Sequence, residues 1–122
     1  MNSDYDIVSL AVFDHNGERL LASGDIIGEI KLWSLECYDL IRIIQAHSGT
    51  IYTLDVLKSD GKLCLMSGGS NKMIKIWDVT NNSTAIAFNT DSEISSTRVF
   101  MNGDRACFAM GYHSGQIKMW ME

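Results

Sequence analysis

The side chains that do acid–base, nucleophilic or metal chemistry are few in this chain and are scattered along it. The three histidines are far apart, and the chain has no His-Glu-x-x-His, no Gly-x-Ser-x-Gly and no glycine-rich phosphate loop ahead of a helix. No two cysteines stand at Cys-x-x-Cys spacing, which argues against a zinc site and a disulfide framework. The cysteines are Cys37, Cys64 and Cys107. We therefore expect no catalytic site, no metal and no cofactor.

The composition is that of an acidic globular protein. Lysine and arginine total 10 against 15 aspartates and glutamates, a formal net charge of −5, and there is no basic run. Because nucleic acids and anionic membranes attract cationic surfaces, neither is expected as a partner. No apolar stretch approaches the ~20 residues that cross a bilayer, and the polar start of the sequence is unlike a signal peptide. These features predict a cytoplasmic protein, with the nucleus as the alternative compartment.

An internal repeat determines where these side chains are placed. Three tryptophans, Trp33, Trp77 and Trp120, lie 44 and 43 residues apart, and each ends the pattern Ile-Lys-x-Trp. The same offsets align further residues, among them Ile7, Ile51 and Ile94 and the tight-turn positions Gly28, Lys72 and Gly115. A repeat of this length is typical of proteins built from an array of small, similar structural units.

Each unit has the pattern of short β-strands separated by turns. Runs of apolar and β-branched residues alternate with clusters of Gly, Asn, Asp and Ser. The first such runs along the chain are Ile7–Phe13, Leu20–Ser23, Ile30–Trp33 and Leu40–Ile44. Four short strands in ~43 residues is the spacing of one β-propeller blade, so the predicted fold is all-β with about three four-stranded antiparallel blades. The expected repeat units, within a single domain of residues 1–122, are about 1–34, 35–78 and 79–122.

The middle unit carries the most specific motif. The stretch Leu65–Asp78, Leu-Met-Ser-Gly-Gly-Ser-Asn-Lys-Met-Ile-Lys-Ile-Trp-Asp, resembles the strand-turn-strand signature of the WD40-repeat family and ends in its Trp-Asp pair. Upstream, Ala46 and His47 stand where the family has Gly-His. The resemblance covers essentially the whole chain, which is similar to the C-terminal part of a longer propeller. It implies a protein-binding function and not catalysis.

The resemblance also implies a hydrogen-bonded tetrad of His, Ser or Thr, Asp and Trp within a blade. A buried tryptophan needs such a set, because its single N–H must find a partner. The middle unit has His47, Ser67 and Trp77, with Asn71 in the Asp position. The outer units keep less of the set: Ser23 and Trp33 in the first, and Trp120 in the third. We expect these outer blades to depend more on apolar packing.

A partner-binding face is implied by the same resemblance. Proteins of the family engage partners on the loops that enter the first strand of each blade and that join its second and third strands. Here those loops are rich in acids and aromatics: Asp4, Tyr5, Asp6, Asp25, Ile26, Asp91, Glu93, Tyr112 and His113. This set predicts binding of a basic peptide. The alternative is that the acids only keep the protein soluble.

Three blades are fewer than the four to eight of a propeller. Two blade faces would then be exposed and apolar, which predicts that missing N-terminal repeats, copies of the chain or another protein complete the ring. The predicted function is a non-catalytic scaffold for protein–protein interaction. The alternatives are a structural subunit locked into a large assembly and the recruitment module of a ubiquitin ligase.

Overall fold

A computed structural model describes residues 1–59, 62–80 and 83–121. Within these ranges the chain forms antiparallel β-sheets and no helix, which confirms the all-β prediction. The strands are β1 (Ile7–His15), β2 (Glu18–Asp25), β3 (Glu29–Ser34), β4 (Leu40–Gln45), β5 (Ile51–Ser59), β6 (Lys62–Gly69), β7 (Met73–Asp78), β8 (Ser83–Asn89), β9 (Ile94–Asn102), β10 (Arg105–Tyr112) and β11 (Ile117–Met121).

The strands form three meandering sheets, one after another along the chain. Blade 1 has the order β1-β2-β3-β4, blade 2 the order β5-β6-β7-β8, and blade 3 the order β9-β10-β11 in the described residues. The first two predicted repeats end at residues 34 and 78, which are the last residues of β3 and β7. A sequence repeat and a blade are therefore offset by one strand. The third sheet has three strands where four were expected of a full blade.

The core lies between blades, because alternate residues of a strand point to opposite faces of its sheet. Leu20 and Leu32 of blade 1 pack with Ile51 and Leu65 of blade 2 in one buried cluster. A second cluster joins the far side of blade 2 to blade 3 and includes Met66, Ile74, Ile76, Ile94 and Phe108. Blade 2 is thus covered on both faces.

The turn before the third strand of each blade has the same unusual backbone. Gly28, Lys72 and Gly115 have φ values of 93°, 59° and 91°, which places all three in the left-handed region that favours glycine. At Gly28 a side chain is excluded for a second reason: an added Cβ would lie 1.9 Å from the backbone oxygen of His47. The tight turn expected at these positions is present in every blade.

The first strand of each blade contains a β-bulge at one equivalent position. The pairing register skips Val8 in β1, Tyr52 in β5 and Ser95 in β9. These three residues, the bulge residues, have the same 44- and 43-residue spacing as the tryptophans. A bulge bends the strand and re-aims the extra side chain, so each blade presents one side chain outside the regular alternation.

Candidate protein-binding surface

Blade 2 holds its tryptophan by a continuous chain of hydrogen bonds. Trp77 Nε1 donates to Ser67 Oγ at 3.1 Å, and that oxygen lies 2.8 Å from His47 Nε2. His47 Nδ1 lies 2.9 Å from Asn71 Oδ1. With the proton of a neutral imidazole on Nδ1, every group has a matching partner: His47 donates to Asn71 and accepts from the Ser67 hydroxyl. Burial is the main cause that lowers the pKa of His47, and it favours this neutral form.

Blade 1 keeps half of this arrangement. Trp33 Nε1 donates to Ser23 Oγ at 3.1 Å, the same distance as in blade 2. Ser3 stands 44 residues before His47 and so takes the histidine position, but its Oγ accepts from Lys31 Nζ at 3.1 Å. The tryptophan bond is therefore retained without the histidine.

Blade 3 holds Trp120 by aromatic packing. Its ring centroid lies 4.7 Å from that of Phe108 on the adjacent strand and 6.2 Å from that of Phe88 in blade 2. Both distances lie in the range at which aromatic pairs attract. At this blade the packing reaches across the interface to the neighbouring blade.

One backbone hydrogen bond recurs in every blade and aligns the loops. It runs from the turn after the second strand to the residue just before the first strand. Its three copies are Ile26 N to Asp6 O at 3.1 Å, Ser70 N to Thr50 O at 3.0 Å and His113 N to Glu93 O at 2.9 Å. We call the surface formed by 4–6, 26–28, 48–50, 70–72, 91–93 and 113–115 the loop face. A side-chain hydrogen bond also joins the loops of blades 1 and 2 at this face, because Thr50 Oγ1 donates to Ile26 O at 3.2 Å.

Most of the residues expected on this face are accessible there. The exposed ones are Asp4, Tyr5, Asp6, Ile26, Asp91 and His113, and Glu93 is half-buried. Two expectations are wrong, because Asp25 is 1% exposed and Tyr112 is 6% exposed. Asp25 ends β2 and Tyr112 ends β10, the second strands of blades 1 and 3, and both side chains are buried there.

Asp25 caps the turn that follows it. Its Oδ1 accepts from the backbone N–H groups of Ile27 and Glu29, both at 3.0 Å. Its Oδ2 is buried and has no hydrogen-bond partner among the described residues. Tyr112 points inward with its hydroxyl 4.0 Å from Met110 Sδ, while Lys118 Nζ lies 5.7 Å from its ring centroid. Neither side chain is available to a partner.

The charge on the loop face is less uniform than the sequence indicates. Lys118 Nζ lies 2.8 Å from Asp91 Oδ2, and the hydrogen bond and charge of this lysine lower the pKa of Asp91. The same contact raises the pKa of Lys118. Glu93 Oε2 lies 4.0 Å from His113 Nδ1. The carboxylate of Asp91 is therefore already paired.

The residue that sequence reasoning missed is Tyr52. Its ring centroid lies 5.0 Å from that of His113, with the rings tilted by 59°, at the junction of blades 2 and 3. As a bulge residue it also lines a cleft of about 390 Å³ between the first strands of the three blades, together with Val8, Ser95 and Arg98. The only signal in the sequence is that Tyr52, Val8 and Ser95 are repeat equivalents.

The described residues suggest no other kind of site. Within 1–59, 62–80 and 83–121 no three His, Cys, Asp or Glu side chains lie close enough together to hold a metal ion. The same ranges contain no helix that is long and apolar enough to cross a membrane.

Comparison with known proteins identifies the repeat. The family model described as "WD domain, G-beta repeat" matches residues 38–78. The nuclear distribution protein PAC1-1 of Uncinocarpus reesii is 34% identical over 85 residues, which cover 68% of this chain and 19% of that protein. The chain belongs to the WD40-repeat family. WD40 propellers are typically non-catalytic and generally act as protein-interaction scaffolds.

Other WD40 proteins are similar over a comparable stretch. The GATOR2 complex protein WDR24 of Xenopus laevis is 28% identical over 96 residues, 78% of this chain and 12% of that protein. The β-propeller domain of Cps50 (Swd1) from Myceliophteria thermophila has the same fold, with a TM-score of 0.78 at 21% identity over 98% of this chain and 35% of that one. The WD40 chain thus spans a fifth or less of these two curated relatives and about a third of the solved propeller.

Proposed function

We propose that this WD40 chain is a non-catalytic scaffold that binds a basic segment of another protein on its loop face. The observation that carries the proposal is the contact between His113 of the loop face and Tyr52 in the adjoining cleft, an aromatic pair at a blade junction with Glu93 beside it. Large aromatic side chains at the centre of a surface are the usual anchors of protein interfaces. We place the protein in the cytoplasm or nucleus as part of this proposal.

Charge supports a basic partner over an acidic one. Asp4 and Asp6 are exposed on the loop face, and Glu93 is half-exposed. Lys72 is an exposed cation of this face, and Lys118 is paired with Asp91. The net negative field would steer a lysine- or arginine-rich segment towards the face, and burial of the aromatic pair would then hold it. Tyr5 and Ile26 add apolar surface at the blade 1 side.

The experiment measures binding of a labelled peptide by fluorescence anisotropy. The probe is a 12-residue peptide rich in lysine and arginine, with a glutamate-rich peptide of the same length as its counterpart. Tyr52→Ala should weaken binding of the cationic peptide at least about tenfold, the usual effect of an interface anchor. Tyr38→Ala is the matched control, since Tyr38 is an exposed tyrosine in the β3–β4 turn at the opposite end of blade 1.

A second pair of variants tests the charge component. Glu93→Lys should weaken binding, and more so at low salt, because exposed charges are screened as ionic strength rises. Glu36→Lys, an equal charge change at an exposed residue of the β3–β4 turn, should not. Equal affinity of Tyr52→Ala and Tyr38→Ala for the cationic peptide would contradict the proposal that Tyr52 anchors the partner. Preference for the glutamate-rich peptide would contradict the proposal that the partner is basic.

A structural role in a larger assembly is the second candidate. The described residues leave one apolar face of blade 1 and one of blade 3 uncovered, with Leu10 60% and Met119 66% exposed, and this role would place further blades or another protein there. The name of WDR24 describes it as a protein of a complex. Co-purification of this chain with a fixed ratio of one other protein, resistant to high salt, would favour this role over reversible peptide binding.

A further inference from the structure

The lysine of the Ile-Lys-x-Trp pattern lies at the same place in every blade. Lys31, Lys75 and Lys118 belong to the third strands and pair with residues of the second strands. Lys31 is 7% exposed, Lys75 is half-buried and Lys118 is exposed. A lysine can bury its aliphatic stem, but its ammonium group must reach water or a hydrogen-bond partner. The pattern thus keeps one ammonium group at this place in all three blades, and in two of them it needs a partner.

Each of these ammonium groups binds the loop that enters the first strand of its own blade. The three contacts are Lys31 Nζ to Ser3 Oγ at 3.1 Å, Lys75 Nζ to the carbonyl oxygen of Ala46, and Lys118 Nζ to Asp91 Oδ2 at 2.8 Å. With the 44- and 43-residue spacing of the repeat, the acceptors fall at three consecutive positions of this loop. They are a hydroxyl, a carbonyl and a carboxylate. Because the acceptor changes and the place does not, the contact follows from the geometry of the blade.

The preceding blade holds the same loops from the other side. Before blade 2, the backbone N–H groups of Ala46 and His47 donate to Gly28 O at 2.9 and 3.0 Å. Before blade 3, Thr90 N donates to Lys72 O at 2.8 Å. Gly28 and Lys72 are the left-handed turn residues of blades 1 and 2. Each connection between two blades is therefore fixed between the turn of one blade and the lysine of the next.

We infer that the lysine of the Ile-Lys-x-Trp pattern is a positioning residue of the loop face, and that the Lys118–Asp91 pair holds Glu93 where a partner meets it. The second half of this inference rests on the proposed function. Asp91 stands two residues before Glu93, whose backbone oxygen accepts from His113 N at 2.9 Å. Loss of the lysine would release this loop, and with it the carboxylate that lies beside the Tyr52–His113 pair.

A positioning role and a simple charge effect predict opposite results for Lys118→Met. Methionine keeps an unbranched apolar stem and lacks the ammonium group, so Asp91 becomes an unpaired carboxylate. If Lys118 acted only through its charge, the cationic peptide would then bind more tightly. If it positions the loop, that peptide should bind about threefold more weakly, an effect within the range of exposed ion pairs. Lys118→Arg keeps the cation and should bind the peptide as the wild type does.

Amide hydrogen exchange, measured by NMR without any peptide, tests the positioning role by itself. In Lys118→Met the amide of His113, which donates to Glu93 O, should exchange about threefold faster than in the wild type. The amide of Ile26, which makes the equivalent bond in blade 1, should be unchanged. Arg105→Met is the matched control, because it removes one positive charge from an exposed residue at the opposite end of blade 3.

Lys75→Met applies the same measurement to the half-buried lysine of blade 2. The amides of Ala46 and His47 should exchange about tenfold faster in this variant, because the lost hydrogen bond has a charged donor. Far-UV circular dichroism checks that each variant keeps its β-sheet content.

Faster exchange in both methionine variants, with weaker peptide binding by Lys118→Met, would support the inference in full. Unchanged exchange in both variants would overturn the positioning role. Faster exchange in Lys118→Met with unchanged or tighter peptide binding would overturn its effect on the partner. If the wild-type chain does not bind the cationic peptide, the proposed function fails and the effect on the partner fails with it, while faster exchange would still support the positioning role.

Discussion

The imidazole of His47 bridges Ser67 and Asn71, with Nε2 2.8 Å from the hydroxyl and Nδ1 2.9 Å from the amide oxygen. His47 is only 3% exposed. Replacing it with alanine removes two hydrogen bonds and leaves a cavity beside Ser67, the acceptor of the Trp77 hydrogen bond. We expect His47→Ala to lower the free energy of unfolding by about 2–4 kcal/mol, measured by urea denaturation.

The control for this change is Thr90→Ala, at the equivalent position of blade 3. Thr90 Oγ1 donates only to Ser92 O, at 2.9 Å. A loss of about 1 kcal/mol or less is expected there. Equal losses at the two positions would mean that the blade 2 hydrogen-bond chain adds no particular stability.

The lowered pKa of His47 predicts a loss of stability in mild acid. In the unfolded chain the group titrates near its ordinary value of 6.5, while burial, the largest cause, lowers its pKa in the fold. Between these two pKa values the unfolded state binds more protons, so its free energy falls relative to the folded state. The contribution of His47 is therefore complete above pH 6.5 and is lost as the pH falls through the folded-state pKa.

Asn71→Asp should remove or reverse the pH dependence of stability that His47 causes, because a carboxylate beside His47 Nδ1 favours the protonated imidazole. The measurement is the free energy of unfolding from pH 5 to pH 8 in the wild type and the variant. An identical pH profile for the two proteins would contradict the prediction. His15→Gln, a change at a histidine in the β1–β2 hairpin far from Asn71, serves as the control.

The left-handed turn positions predict opposite effects for two substitutions. Lys72 has a φ of 59° and bears a side chain, so Lys72→Gly should raise the free energy of unfolding by roughly 0.5–1 kcal/mol. Gly28→Ala should be strongly destabilising, because the new Cβ would overlap the His47 backbone oxygen. Gly115→Ala, which meets no atom within 4 Å, isolates the cost of the backbone conformation alone. Thermal unfolding should give the highest Tm for Lys72→Gly, an intermediate one for Gly115→Ala and the lowest for Gly28→Ala.

Removing the buried carboxyl group of Asp25 and replacing it with an amide should lower the free energy of unfolding by different amounts. Asp25→Ala deletes the acceptor of two backbone N–H groups and should cost about 1–3 kcal/mol. Asp25→Asn keeps an oxygen for those donors and removes a buried charge, so a smaller loss is expected. Urea denaturation at pH 7 distinguishes the two variants. A larger loss for Asp25→Asn than for Asp25→Ala would show that the charge itself stabilises the turn.

The repeat spacing accounts for what could be predicted of the fold. Because a strand has a period of two and each Trp ends the same motif, aligning Trp33, Trp77 and Trp120 also aligns strands, turns and faces. The error at Asp25 came from a strand boundary: β2 runs one residue further than the loop assignment assumed. Such a shift changes a side chain from exposed to enclosed.

The contacts that sequence reasoning missed join residues that are far apart in the sequence. Lys118 and Asp91 are 27 residues apart and pair only because the third strand of blade 3 brings the lysine to the loop before its first strand. Tyr52 meets His113 across a blade junction. No local pattern reports either contact, since the first depends on how the strands of blade 3 lie together and the second on how blade 2 is placed against blade 3.

The bulges have a consequence for how this surface can diversify. Val8, Tyr52 and Ser95 are left out of the strand pairing, so their side chains are not fixed by the alternation that builds the core. A valine, a tyrosine and a serine occupy equivalent backbone positions without altering the blade. In the proposed interaction, each blade therefore supplies one surface side chain that mutation can change at little cost to folding, so the binding preference could change while the blade architecture stays constant.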